Sequence, residues 1–102
     1  MKLHFPKGTP QEIITKIEDK LDGRKLGKIV RFTLSGQDLE VTIKKMGTSS
    51  LFFMGAPTNG GLDWVLEKEK IALAHKAFRS EMLKKIAKIV DQIGGKMIDG
   101  NR

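Results

Sequence analysis

The chain contains no cysteine. This excludes a disulfide framework, a thiolate metal site and a cysteine nucleophile. No apolar run approaches the roughly 18 residues that a membrane-spanning helix requires. The N-terminal segment MKLHFPKGTP also lacks the long apolar core of a secretion signal, because Pro6 and Gly8 interrupt it. These absences predict a cytoplasmic protein with no transmembrane segment.

Residues that carry chemistry are also scarce. The histidines are His4 and His75, and their separation matches no metal-binding signature. No serine occupies a Gly-x-Ser-x-Gly elbow, and Asn59-Gly60-Gly61 is not followed by the Lys-Ser/Thr pair of a phosphate-binding loop. We therefore predict no catalytic residue, no metal site and no cofactor, and we expect a protein that is not an enzyme. His75 is expected to be structural, with one ring nitrogen bonded to the backbone.

Length and composition are those of one small globular domain. The chain has 102 residues, of which 39% are hydrophobic and 30% are charged, and a disordered chain has fewer apolar residues than this. A chain of this length supports one hydrophobic core. We therefore predict a single α+β domain over residues 1–102, in which residues 94–102 form a flexible tail after the Gly94-Gly95 pair.

The N-terminal segment carries a strand followed by a helix. Lys2 to Phe5 alternate polar and apolar residues, as a strand does. A helix then starts at Thr9-Pro10, where Thr9 caps the helix and Glu12 completes a capping box. The Asp22-Gly23 pair ends this helix. Its apolar residues recur at helical spacing: Ile13, Ile14, Ile17 and Leu21.

The middle of the chain alternates apolar and polar residues at a period of two, which indicates strands. The alternation covers residues 30–35 and 39–44, and the run from Leu51 to Met54 is apolar on both faces. Residues 62–70 admit either a strand or the start of a helix that continues to residue 93. That helix would span about 30 residues, more than the usual 8 to 20, so we favour the strand. Read as a strand, the segment points Trp64 and Leu66 inward and Glu67 and Glu69 outward.

A long helix is predicted from residue 71 to residue 93, with apolar residues on one side and lysines on the other. Phe78 lies on the apolar side and is expected to be buried against the sheet. The predicted fold class is α+β. A single antiparallel sheet of about five strands, in the order β-α-β-β-β-β-α, packs against this long C-terminal helix.

The net charge of +7 suits an anionic partner. Residues 23–37 contain no acid, and the polar side of the final helix is rich in lysine. Basic helix faces are often only solvated, so charge density alone does not establish binding. The candidate polyanion surface comprises Arg24, Lys25, Lys28, Arg31, Lys84, Lys85 and Lys88.

The apolar run in the middle of the chain is the other candidate surface. Such a run is typical of a strand covered on both faces, and it can also present apolar side chains to a partner. Nucleic-acid stacking on these aromatics has no support from sequence motifs, because the Lys/Arg-Gly-Phe/Tyr-Gly/Ala-Phe pattern of the common RNA-binding sheet is absent. The candidate apolar surface comprises Leu51, Phe52, Phe53 and Met54.

Two segments carry a resemblance to a known family. They are Val30-Arg31-Phe32-Thr33-Leu34-Ser35-Gly36 and the run from Val65 to Ile86, with Lys76-Ala77-Phe78-Arg79 at its centre. In these segments the chain resembles the small polyhydroxyalkanoic acid system proteins, which are encoded with polyester-synthesis systems. The resemblance covers about half of the chain and includes no catalytic motif. It implies an accessory role near polyester granules.

Two classes of function follow. The first is a small accessory protein that binds an apolar surface or ligand through Leu51–Met54 and a cavity between sheet and helix. The alternative is a non-specific binder of nucleic acid or another polyanion, which would bind weakly because no base-reading motif accompanies the charges. A homodimer formed through the Phe-rich strand is compatible with either, as is a different protein partner.

Overall fold

A six-stranded antiparallel sheet forms the centre of the fold, in a computed structural model that describes residues 1–98. The elements of this part of the chain are β1 (Lys2–Phe5), α1 (Pro10–Leu21), α2 (Lys25–Ile29), β2 (Val30–Ser35), β3 (Asp38–Lys44), β4 (Thr48–Pro57), β5 (Leu62–Lys70), a 3₁₀ helix (Leu73–Phe78), α3 (Arg79–Gln92) and β6 (Lys96–Ile98). The strand order is β2-β3-β4-β5-β1-β6. This architecture confirms the predicted α+β class.

The sheet has one strand more than the sequence predicted. β6 pairs with β1 in the register Lys2↔Ile98 and His4↔Lys96, so part of the segment expected to be a flexible tail is a strand at the sheet edge. Gly95 allows this return, because a Cβ at that position would lie 2.6 Å from the Phe5 ring. The last four residues of the predicted tail, residues 99–102, lie outside the described residues.

The first helix forms as its sequence predicts. The Thr9 hydroxyl accepts a hydrogen bond from the Glu12 amide at 3.2 Å, and a Glu12 carboxylate oxygen accepts one from the Thr9 amide at 2.9 Å. Both members of the capping box are therefore present. Gly23 follows the helix with a positive φ of 81°, a conformation that glycine adopts without a steric penalty. The buried residues of this helix are Ile13, Ile14, Ile17 and Leu21.

The core lies between one face of the sheet and the helices α1 and α3. Alternate residues of the strands join the apolar sides of both helices in a single cluster of buried side chains. Residues of this cluster line an apolar cavity of about 20 Å³, roughly the room that one water molecule needs. The core therefore encloses little free space in this conformation, and binding of an apolar ligand between sheet and helix stays a prediction.

β5 is a strand, as favoured, but a bulge changes which face of the sheet its C-terminal residues occupy. A register shift lies opposite Phe52 and Phe53, where Leu66 pairs with Phe53 and Lys68 pairs with Phe52. Beyond this bulge Glu69 pairs with the buried Leu51, so Glu69 lies on the covered side of the sheet rather than outward as predicted. A bulge adds one residue to one strand, which reverses the facing of every residue after it.

The C-terminal helical segment is broken where the sequence predicted one helix. A 3₁₀ helix ends at Phe78, whose φ of −122° and ψ of 22° are not helical, and α3 begins at Arg79. The break turns Phe78 outward, so that 37% of it is exposed. The prediction that Phe78 is buried against the sheet is wrong. His75 takes the buried position in this segment instead.

Because of this exposure, Phe78→Ala is expected to lower the free energy of unfolding by about 1 kcal/mol, since only part of its apolar area is removed from water. Chemical denaturation of the variant measures the change. Ile89→Ala is the matched comparison, because Ile89 is buried on α3 and should cost about 2–5 kcal/mol. Equal losses for the two variants would contradict the exposed position of Phe78.

Candidate polyanion-binding surface

The surface is built on a tight corner between α1 and α2. Gly27 of α2 lies against the end of α1, where an added Cβ would be 2.3 Å from the Leu21 carbonyl oxygen. No side chain larger than hydrogen fits there. The corner holds α2 close to α1, and it leaves Arg24, Lys25 and Lys28 exposed to solvent.

A groove lies between this corner and α3, and positively charged side chains form its sides. Arg24 and Lys25 line one side of this groove and Lys85 and Lys88 line the other. Its volume is about 300 Å³, and we call it the basic groove. Its floor is aliphatic and consists of Leu21, Leu26 and Ile89. Two parts of the sequence-predicted polyanion surface, which lie far apart in the chain, therefore come together in space.

Few carboxylates neutralise the basic groove. Within residues 1–98, Lys85 makes a 3.6 Å ion pair with Glu81 one helical turn away, and both side chains are exposed, so the pair is weak. No carboxylate of the described residues lies within 4.0 Å of the charged nitrogens of Arg24, Lys25 or Lys88. These three cations are therefore available to an anionic partner.

The remaining predicted cations lie around the basic groove. Lys28 and Arg31 line a wider groove of about 710 Å³ on another side of α2, which also contains Glu18 and Asp22. The two acids lower the positive potential there. Lys84 is exposed on α3 but does not line the basic groove. Of these two grooves, the basic groove therefore has the less compensated positive charge.

A third groove continues from the basic groove and is amphipathic. It shares Lys25, Leu26 and Lys85 with the basic groove, and it has a volume of about 490 Å³. Lys45 and the exposed part of Phe78 also line it. Lys45 was not predicted as a site residue from the sequence, although the Lys44-Lys45 pair before the Met46-Gly47 turn is a local basic signal. We call this space the amphipathic groove.

The candidate apolar surface on β4 is divided between the two faces of the sheet. Leu51 and Phe53 are buried in the core, whereas Phe52 and Met54 lie on the open face. The Lys68 ammonium lies 5.6 Å from the centroid of the Phe52 ring. The four residues therefore do not form one surface. β4 is also paired on both sides, by β3 and β5, so its backbone edge is not available for pairing with a second copy.

His75 is fully buried and all of its polar atoms have partners. Its Nε2 donates to the Lys45 carbonyl oxygen at 2.7 Å. Its Nδ1 accepts from the Ser49 hydroxyl, which in turn accepts from the Ala72 amide at 2.8 Å. Because a carbonyl oxygen can only accept, Nε2 carries a proton, and the uncharged ring then accepts at Nδ1. The backbone bond agrees with the structural role that the sequence predicted.

Within residues 1–98, no group of three or more His, Cys, Asp or Glu side chains is arranged to hold a metal ion. In the same part of the chain, no helix is both long enough and apolar enough to cross a membrane.

Comparisons with known proteins identify no relative. No protein-family model, curated protein sequence or solved structure matches this chain. Its function is therefore inferred from its own geometry.

Proposed function

We propose that this chain is a non-enzymatic binding module for a phosphate-rich anionic partner, which it contacts through the basic groove. The supporting observation is that Arg24 and Lys25 converge with Lys85 and Lys88 around one groove. All four side chains are exposed, so they can reach a partner without rearrangement of the core. A row of cations binds phosphates by releasing the counterions that surround them.

The groove favours binding by charge rather than by sequence. Its floor is aliphatic and contains Leu21, Leu26 and Ile89, and an aliphatic floor offers no aromatic face on which a base could stack. Three of its four cations are lysines, which contact phosphate as point charges and lack the planar fork with which arginine reads a guanine. We therefore expect weak, non-specific binding.

The first expected result concerns salt. If the four cations each contact one phosphate, the logarithm of affinity for an oligonucleotide falls with the logarithm of salt at a slope of about −2.8 to −3.6, at roughly 0.7–0.9 per phosphate. Between roughly 50 and 200 mM salt this slope weakens binding about 50- to 150-fold. Fluorescence anisotropy with labelled single-stranded and duplex oligonucleotides measures the slope. A salt-independent affinity would contradict the proposal.

A triple variant tests where the partner binds. Arg24→Ala, Lys25→Ala and Lys88→Ala together remove three of the four contacts, so the slope should fall to about −1 and the affinity at low salt should drop at least about tenfold. Lys85 is retained because it is paired with Glu81. The three substituted side chains are exposed, so the fold should be preserved.

The matched control removes the same charge elsewhere. Lys16→Ala, Lys68→Ala and Lys96→Ala alter exposed lysines that line neither the basic groove nor the amphipathic groove. This variant should keep most of the wild-type slope, because long-range charge has less effect than direct contact. Equal losses in the two triple variants would mean that net charge, and not the groove, determines binding.

A second candidate function is an accessory role at an apolar surface. Phe52 and Met54 are accessible beside Val65 on the open face of the sheet, and this is the observation that favours it. The resemblance to polyhydroxyalkanoic acid system proteins makes a polyester granule the surface that we propose in this case. Salt separates the two candidates, because binding to an apolar surface is retained or strengthened as salt rises.

A further inference from the structure

Two apolar side chains are exposed at one end of the sheet. Met46 is 87% exposed in the β3–β4 turn, and Leu73 is 84% exposed at the start of the 3₁₀ helix. The turn and the helix lie against each other, because a Cβ on Gly47 would be 3.1 Å from the Cβ of Ala72. The bond from His75 to the Lys45 carbonyl joins the same two segments. Met46 and Leu73 therefore share one end of the molecule, which we call the apolar tip.

The backbone does not favour a methionine at this turn. Met46 has a φ of +56°, and it is the only non-glycine residue with a positive φ among residues 1–98. This left-handed conformation favours glycine, asparagine and aspartate. Core packing does not require the side chain either, since most of it is exposed to solvent. The property that methionine contributes at this position is therefore an apolar side chain exposed to solvent.

The apolar tip is flanked by cations. Residues 44–49 and 70–78 contain Lys44, Lys45, Lys70 and Lys76 and no acid. Lys44 and Lys70 lie at this end of the sheet, where they pair with Thr48 and Ser50 in the adjacent strand, and Lys76 follows Leu73 by one turn of the 3₁₀ helix.

The acidic residues on either side of residues 70–78, Glu69 and Glu81, are already paired with cations. Glu69 accepts two hydrogen bonds from the Arg79 guanidinium, each 2.8 Å long. Glu81 lines the amphipathic groove and pairs with Lys85. The amphipathic groove in turn joins Lys45 of the tip to Lys25 and Lys85. The amphipathic groove therefore connects the cations of the apolar tip with those of the basic groove, and Glu81 is the carboxylate in its lining.

We infer that the anionic partner is a lipid surface, into which the apolar tip inserts while the surrounding lysines contact lipid phosphates. The inference rests on the proposed function, because the cations of both grooves contribute to the same contact. A lipid interface accepts apolar side chains and cations side by side. A nucleic acid would satisfy the cations and leave the exposed Met46 and Leu73 unexplained, because neither side chain stacks on a base.

Vesicle co-sedimentation tests the inference with the full chain. We expect binding to vesicles of phosphatidylcholine mixed with phosphatidylserine and little binding to vesicles of phosphatidylcholine alone, because each cation near an anionic surface strengthens binding about fivefold. Met46→Asn with Leu73→Ser should weaken binding to the anionic vesicles roughly tenfold or more, since the buried apolar area is lost. Asparagine accepts a positive φ, so this variant should remain folded, and circular dichroism checks that it does.

The matched control is Met54→Ser with Val65→Ser, which removes two exposed apolar side chains from the open face of the sheet. This control should bind anionic vesicles as the wild type does. Undiminished binding by the tip variant, or an equal loss in the control, would overturn insertion of the apolar tip. Binding to oligonucleotides without binding to anionic vesicles would overturn the lipid inference and leave the proposed function standing. Failure to bind either would overturn both.

Discussion

Replacing Trp64 by alanine is expected to lower the free energy of unfolding by about 3–5 kcal/mol. Trp64 is fully buried, and its ring meets Phe5 edge-on with centroids 5.8 Å apart. Its indole Nε1 donates to the Gln37 carbonyl oxygen at 2.6 Å, which attaches the β2–β3 turn to the sheet. Alanine would remove the largest buried side chain and leave the Gln37 carbonyl without this donor.

Chemical denaturation followed by circular dichroism measures this loss, because Trp64 is the only tryptophan and its substitution removes the fluorescence probe. Trp64→Phe is the matched variant, since it keeps most of the apolar area and loses the hydrogen bond. Trp64→Phe should lower the free energy of unfolding by less than Trp64→Ala, because phenylalanine fills most of the cavity that alanine leaves empty. A loss below about 1 kcal/mol for Trp64→Ala would contradict its central position in the core.

His75→Ala is expected to be as damaging, at about 3–5 kcal/mol, because two effects combine. The substitution leaves a cavity at a fully buried site. It also deprives the Lys45 carbonyl and the Ser49 hydroxyl of a partner, and an unsatisfied buried polar group costs about 1–3 kcal/mol. The ring connects the β3–β4 turn, β4 and the 3₁₀ helix, so its loss should also loosen the apolar tip.

A double-mutant cycle with Ser49→Ala distinguishes the hydrogen-bond network from simple packing. Ser49 lies between His75 and the Ala72 amide, so the two substitutions should be non-additive by about 0.5–3 kcal/mol. Unfolding of the two single variants and the double variant gives this coupling energy. Additive losses would mean that His75 acts through its volume alone.

The sequence by itself determined the local elements whose signals lie within a few residues. The Thr9–Glu12 capping box, the four apolar residues that follow at helical spacing and the alternation in β2 and β3 all specify their conformation through neighbouring residues. The α+β class follows from the order of these elements. The basic residues were also identified from sequence, because long charged side chains remain at the surface in almost any fold.

Tertiary structure decided which of those residues meet. Arg24 and Lys88 share a groove because Gly27 lets α2 approach α1 closely and α3 crosses beside that corner. His75, and not Phe78, is buried in this segment because Ser49 on β4 and the Lys45 carbonyl in the β3–β4 turn supply partners for its ring. The facing of Glu69 and the pairing of β6 with β1 likewise depend on the neighbouring strand. These outcomes depend on contacts between residues far apart in the chain, and a local sequence pattern does not specify such contacts.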